Sequence, residues 1–336
     1  MKIFKRSKEN RQKKCFGAWQ IEITTRCGLQ CTMCIKTACK EWHRKDMNAR
    51  DFEKIVPYLY DVKSVVLEGW GESLLHKNLV DFIRLAKSAG PDVGFVTSGI
   101  GLTREYARQI VDAGVDFMGF SLSGATAKTH NSIRVNSDFN TLMASIKNMK
   151  ELALSSPLEK PKLHIVYLML KDNIEELPIL IDLASKMGIN EIVLLNIIQV
   201  TSCDQDSNKA FTCEQGSLYK NIMAGALNKA KKLGIYLSMP AVLPQNMAVC
   251  SENPLGNIYI SVNGEVSPCV FLNPPVSAPF TRIFCGTEYQ TFSVSFGNIF
   301  TESLDSIWSR KEYKEFRDAF ISRQRKWKES YTGCLL

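Results

Sequence analysis

The 336-residue chain has no apolar run approaching the ~18–20 residues needed to cross a bilayer. It is also poor in histidine, with four, and neither glycine nor proline is enriched. These absences speak against an integral membrane protein, a collagen-like chain and a low-complexity scaffold. The opening stretch, MKIFKRSKENRQKK, is basic but precedes no apolar segment of the kind a signal peptide carries. A cytoplasmic location is therefore expected, with no membrane partner. The four histidines, His43, His76, His130 and His164, show no metal-ligand spacing among themselves. Acidic charge is short as well: 34 Asp and Glu face 42 Lys and Arg. The excess is local. Residues 1–14 carry a net +6 and residues 310–328 a net +5, so the rest is mildly acidic. No nucleic-acid recognition motif accompanies either segment, so both read as solvated surface. A nucleic-acid-binding protein stays a rival reading, one that would show salt-dependent affinity.

Against these absences stand 11 cysteines. Thiols stay reduced in a cytosol, so the count points to metal or redox chemistry more than to disulfides. Their placement follows from the pattern of elements. Strand-like segments at 19–24, 63–68, 92–97, 116–122, 162–169 and 191–196 alternate with helical ones at 50–58, 78–88, 103–113, 139–154 and 174–187. Strict alternation predicts an α/β fold with a parallel sheet and outer helices. Six repeats rather than eight suggest a partial (β/α)6 barrel or a doubly wound sheet, with reactive groups at the carboxyl ends of the strands. The alternation breaks in a polar stretch, 199–215. A helix over 216–233, a strand near 235–239, a hairpin around Asn263-Gly264, a Pro-rich irregular segment over 273–290 and two closing helices follow. The expected organisation is a basic tail (1–14), a core (15–200), a bridge (201–235) and a small C-terminal domain (236–336).

The first strand runs into Cys27, Cys31 and Cys34, a C-x3-C-x2-C spacing. With 11 cysteines in the chain, such a triplet should arise by chance only about 0.01 times. Three thiolates in one loop can hold three irons of a cubane cluster and leave the fourth iron open. Zinc would require a fourth protein ligand, which His43 could supply. After the second strand comes Gly69-Trp70-Gly71-Glu72. Thr97-Ser98 ends the third strand, Ser121 lies at the end of the fourth with Arg134 downstream, and Leu195 lies at the end of the sixth.

This arrangement resembles the radical S-adenosylmethionine (SAM) superfamily. The resemblance implies a 4Fe–4S cluster on Cys27, Cys31 and Cys34 whose open iron chelates SAM. It implies reductive cleavage of SAM to a 5′-deoxyadenosyl radical, which abstracts a hydrogen atom from the substrate. It makes Met33, Gly69, Trp70, Gly71, Glu72, Thr97, Ser98, Ser121, Arg134 and Leu195 candidates for holding SAM. Small residues would permit close backbone approach, Glu72 would accept from an ammonium, and Arg134 would fork to a carboxylate. In the family an aromatic residue often stands at Met33, a Pro at Ser73 and an Asp at Ser123.

The C-terminal pattern of Cys250, Gly264 and Cys269, then Gly297-Asn298, Ile307-Trp308 and Cys334, resembles a SPASM or twitch extension. That resemblance implies an auxiliary 4Fe–4S cluster on Cys250, Cys269 and Cys334, with Cys285 as the available fourth ligand. The auxiliary cluster would accept an electron or bind substrate. The implied partners are a reductase such as flavodoxin or ferredoxin and a peptide or protein substrate. A sugar, aminocyclitol or other small molecule is the alternative substrate, through a dehydrogenase or epimerase. A non-catalytic iron–sulfur electron carrier is a rival from another class. Cys15, Cys39, Cys203 and Cys213 receive no role.

Overall fold

The computed structural model describes residues 15–39, 41–210, 219–242 and 247–332. The basic tail, Cys213 and Cys334 lie outside them. One sheet organises the described chain. Its six expected strands are β1 (Phe16–Ile21), β2 (Val62–Val66), β3 (Asp92–Thr97), β4 (Phe117–Leu122), β5 (Lys162–Met169) and β6 (Glu191–Asn196). They pair side by side in sequence order, all parallel. Each connection returns over the sheet through a helix, as parallel pairing demands. Sequence signals set the helix ends. Thr103 and Asp138 cap the helices Arg104–Asp112 and Phe139–Ser155 by accepting from Tyr106 N and Thr141 N. Gly188, at φ 63°, closes Leu177–Met187 in the left-handed conformation that glycine adopts freely. The inward helix faces meet the sheet in one continuous apolar core, where Phe52 and Phe82 stack 4.1 Å apart.

The sheet extends further at both edges than six repeats require. The helix Lys220–Lys232 leads to β7 (Tyr236–Ser238), which pairs parallel with β6. The later part of the expected bridge, with the first residues of the expected C-terminal domain, thus forms a further helix–strand unit of the same sheet. At the other edge, β8 (Ile258–Ile260) pairs parallel with β1. It turns at Asn263-Gly264 into the antiparallel β9 (Val266–Ser267). The C-terminal segment is therefore stitched to the first strand. Asn298 locks the turn by donating through Nδ2 to Asn263 O (2.9 Å) and Glu265 Oε1 (3.0 Å).

Two segments differ from expectation. Within the polar stretch, Cys203–Asn208 is helical, because Ser202 caps it by accepting from Gln205 N. The Pro-rich stretch contains an antiparallel hairpin, β10 (Phe280–Phe284) and β11 (Thr287–Thr291), outside the main sheet. Its turn uses Cys285 (φ 51°) and Gly286 (φ 77°), both left-handed. Among the described residues, no helix is long and apolar enough to cross a membrane.

Candidate active site

The carboxyl ends of β1 to β6 share one rim, and the cysteine loop sits on it after β1. Many bonds from elsewhere in the chain fix this loop. The Lys36 ammonium reaches back to Cys27 O (2.8 Å) and Leu29 O (2.5 Å). Trp42 Nε1 donates to Thr25 O (2.9 Å), and the Thr25 hydroxyl donates to His43 O (2.6 Å). Gln30–Cys31 forms a two-residue antiparallel ladder with Arg134–Val135, Cys31 opposite Arg134. Gln205, from the helix within the polar stretch, donates to Thr32 O and Cys34 O (3.3 Å each).

The loop suits a cubane cluster. The backbone N–H groups of Leu29 and Lys36 are directed at the sulfurs of Cys27 and Cys34. Burial pushes the Cys34 thiol up to about 11 and raises Cys27 as well, so both need a metal cation to be held as thiolates. Among the described residues, no three His, Cys, Asp or Glu side chains converge closely enough for one metal ion. In a cubane each thiolate serves its own iron, so the ligands need not converge on one point.

The Gly-Trp-Gly-Glu loop after β2 has a different internal logic from the one its sequence suggests. A Cβ on Gly69 would lie 2.4 Å from Glu22 Cγ, and one on Gly71 2.2 Å from Thr24 O. These glycines let the loop pack against the chain leaving β1. Glu72 is 6% exposed, and its oxygens accept from Thr97 Oγ1 (2.7 Å), Ser98 N (2.8 Å), Ser98 Oγ (2.6 Å) and Leu74 N (3.2 Å). Its own N–H donates to Arg26 O (2.8 Å). Four donors already occupy this carboxylate, so its work is to tie the ends of β2 and β3 to the cysteine loop. Thr97 and Ser98 spend their hydroxyls on it. Arg134 donates through Nε to Ser123 Oγ (2.9 Å), and its two terminal nitrogens have no hydrogen bond among the described residues. Ser121 is half-buried on β4.

A cavity of about 680 Å³ opens beside the loop. Of the sequence candidates it collects Met33, Gly69, Trp70 and Leu195; Gly71, Glu72, Thr97, Ser98, Ser121 and Arg134 do not line it. Its far wall is C-terminal, with Ser251, Glu252, Val270 and Phe271. Trp70 spans the two sides. Its N–H donates to Glu22 Oε1 (2.8 Å), its indole Nε1 donates to Val270 O (3.3 Å), and its ring meets Phe271 edge-on.

Sequence reasoning missed the carboxyls here. Glu22 is buried and rises to about 7, because burial outweighs its backbone donors Trp70 N and Val262 N. Glu68, which lines the cavity, rises to about 8 through burial, reinforced by Glu72 and Glu252. Burial raises Glu252 too. The one available signal was Glu68 directly after the apolar run Val65-Val66-Leu67.

The auxiliary cysteines are less enclosed. Cys250 is exposed. Cys269 is half-buried, its sulfur faced by the N–H groups of Phe271 and Leu272, and burial lifts it to about 11. The two thiols lie near enough to interact electrostatically. Cys285 is disulfide-bonded, and a thiol in that state cannot ligate iron until it is reduced.

A family model described as the radical SAM superfamily matches residues 21–184. One described as an iron–sulfur cluster-binding domain, SPASM, matches residues 250–334. The chain belongs to the radical SAM superfamily and carries a SPASM domain; it is an enzyme that binds SAM, a 4Fe–4S cluster and auxiliary iron–sulfur. It is 27% identical over 323 residues to the tungsten-containing aldehyde ferredoxin oxidoreductase cofactor-modifying protein of Pyrococcus furiosus, covering 94% of this chain and 86% of that one. It is 25% identical over 178 residues to the PqqA peptide cyclase of Bradyrhizobium diazoefficiens, covering 53% and 45%. In fold it is similar to SuiB of Streptococcus suis bound to S-adenosylmethionine, with a TM-score of 0.65 and 15% identity over 90% of this chain and 68% of that one.

Proposed function

We propose that the enzyme modifies a peptide or protein substrate, which enters the cavity between the cysteine loop and the SPASM segment. The observation that carries this reading is the rim. Leu195, Ile198, Met247 and Phe284 are all large and apolar, all line the cavity and are all exposed by more than a third. An apolar collar around a partly polar interior suits a chain that lies across the mouth and sends one side chain in. The PqqA peptide cyclase is a peptide-modifying relative, which supports the same reading.

When bound, the cluster and SAM supply the hydrogen-abstracting radical. The chain's own part is positional. Cys27, Cys31 and Cys34 would hold the cluster, with Lys36 and the Arg134 ladder bracing their loop. Met33, Gly69, Trp70 and Leu195 would face the cofactor from the cavity wall, and Arg134's terminal nitrogens are available to a carboxylate. Gly71, Glu72, Thr97 and Ser98 would act beneath them as scaffold; no direct contact is proposed for Ser121. Cys250 and Cys269, with Cys334 and a reduced Cys285, would hold an auxiliary cluster at the opposite wall, where it can take up an electron or hold substrate. A flavodoxin- or ferredoxin-type reductase would supply the electron.

A second reading is a small molecule, favoured by the similarity to a cofactor-modifying protein along nearly the whole chain. One experiment separates the two. The reconstituted enzyme, with SAM and dithionite, is given host-cell extract, and 5′-deoxyadenosine is measured. Stimulation that protease treatment destroys supports the peptide reading. Stimulation that survives protease and passes into the small-molecule filtrate supports the other.

A further inference from the structure

The cavity is electrostatically one-sided. Among its described lining residues there is no Lys, Arg or His, while two carboxyls, Glu68 and Glu252, face it. The same two, with Gln20, also line a smaller cavity of about 220 Å³ that reaches Cys269 and Tyr259. The acids therefore stand on the partition between the radical side and the auxiliary side. Both are half-buried, and among the described residues no basic side chain is hydrogen-bonded or ion-paired to either. Two carboxyls facing one cavity with no basic side chain in its described lining favour a positively charged occupant.

A second, independent observation marks the cavity as a ligand site. Gln199 lines it, is 4% exposed, and neither its Oε1 nor its Nε2 has a hydrogen-bond partner among the described residues. Nearby, Asn196 donates through Nδ2 to Ala241 O (2.7 Å), while its Oδ1 stays unpaired. A buried amide with both ends unsatisfied costs stability unless something completes it. The remaining walls, among them Trp70, Phe271 and Leu168, suit an aliphatic stem.

We infer that the group entering this cavity is a protonated amine on an aliphatic stem, received by Glu68 and Glu252, with the Gln199 amide reading a polar group next to it. This rests on the proposed use of the cavity as the substrate site and names the chemistry it selects. A lysine side chain of a peptide and a free alkylamine share that chemistry.

The test is binding to the anaerobically reconstituted holoenzyme with SAM, by equilibrium dialysis. The probes are acetyl-Ala-Lys-Ala-amide, its norleucine counterpart and 1,5-diaminopentane. The lysine peptide should bind about tenfold more tightly than the norleucine peptide, and Glu68→Gln should remove most of that preference. Glu252→Gln should act in the same direction, with iron content and SAM affinity unchanged in both variants. Gln199→Leu, which leaves the acids in place, should weaken the lysine peptide and keep the preference over norleucine. Binding of diaminopentane without the lysine peptide would support the amine and overturn the peptide reading. Equal binding of the two peptides would keep the peptide reading and overturn the amine. A preference that survives both Glu variants, or Glu variants that weaken SAM instead, would overturn the inference.

Discussion

The two cysteine sites are built in opposite ways. The loop of Cys27, Cys31 and Cys34 is tied before any cluster is considered: to Lys36, to the Arg134 ladder, to Gln205 and, through Arg26, to Glu72. The C-terminal set has an exposed Cys250, a half-buried Cys269 and a disulfide-bonded Cys285. One loop is braced by the protein; the proposed auxiliary set would be drawn together by its metal. A site that generates a radical benefits from fixed geometry. A site that relays an electron or meets a large substrate tolerates adjustment.

The largest expected effect would break that comparison outright. Replacing Cys27, Cys31 and Cys34 together by Ala should abolish 5′-deoxyadenosine formation while leaving about four irons per chain. A chain with no iron would show that the auxiliary site holds no cluster of its own. The converse pair, Cys250→Ala with Cys269→Ala, should retain SAM cleavage and lose the auxiliary iron. Hydrogen exchange should then rise over residues 250–273 and stay unchanged over 22–36. Equal exchange in both segments would show that the two sites are organised alike.

Removing the tie at Glu72 comes next. Glu72→Ala leaves the Ser98 N–H and the Thr97 and Ser98 hydroxyls without their acceptor in a buried place. A loss of about 3 kcal/mol in stability is expected, with SAM cleavage falling at least about tenfold. Wild-type cleavage in this variant would remove Glu72 from the preorganised site. Lys36→Met is a smaller perturbation. It deletes a charge and two bonds to the loop, so the cluster's reduction potential should fall by tens of millivolts with iron still bound. An unchanged potential in redox titration would reduce Lys36 to a surface feature.

Much of this architecture could be read from the chain, for local reasons. The strands at 92–97, 162–169 and 191–196 coincide with β3, β5 and β6, because apolar runs flanked by polar caps and glycines leave little freedom. Asn263-Gly264 marked its hairpin, but not that β8 pairs with a strand about 240 residues earlier. Long-range pairing carries no local signal. The hairpin over 280–291 was hidden because β11 is largely exposed and the segment is rich in proline. Within the site, residue type was legible and direction was not. Glu72, Thr97 and Ser98 had the polar chemistry of ligand contacts, yet they face one another. Glu68 and Glu252 face the cavity from two loops no motif connects.

The seam between the two regions offers the subtlest test. Glu22 accepts from Trp70 N on the radical side and from Val262 N beside the β8–β9 turn. Its carboxyl is raised to about 7 by burial, whereas the unfolded chain's glutamate ionises near the ordinary value of 4.5. Protonated Glu22 therefore favours the fold. Its contribution is complete below pH 4.5, declines as pH rises toward 7 and is gone above it, a change of about 3 kcal/mol at most. Glu22→Gln cannot ionise, so it should remove this slope while forfeiting one acceptor, worth about 1 kcal/mol. Thermal melting at pH 6 and pH 8 should show the variant gaining on the wild type as pH rises. If the two melt in parallel, the seam is not held by a carboxyl that resists ionisation. The C-terminal segment would then be attached to β1 chiefly through the β1–β8 ladder.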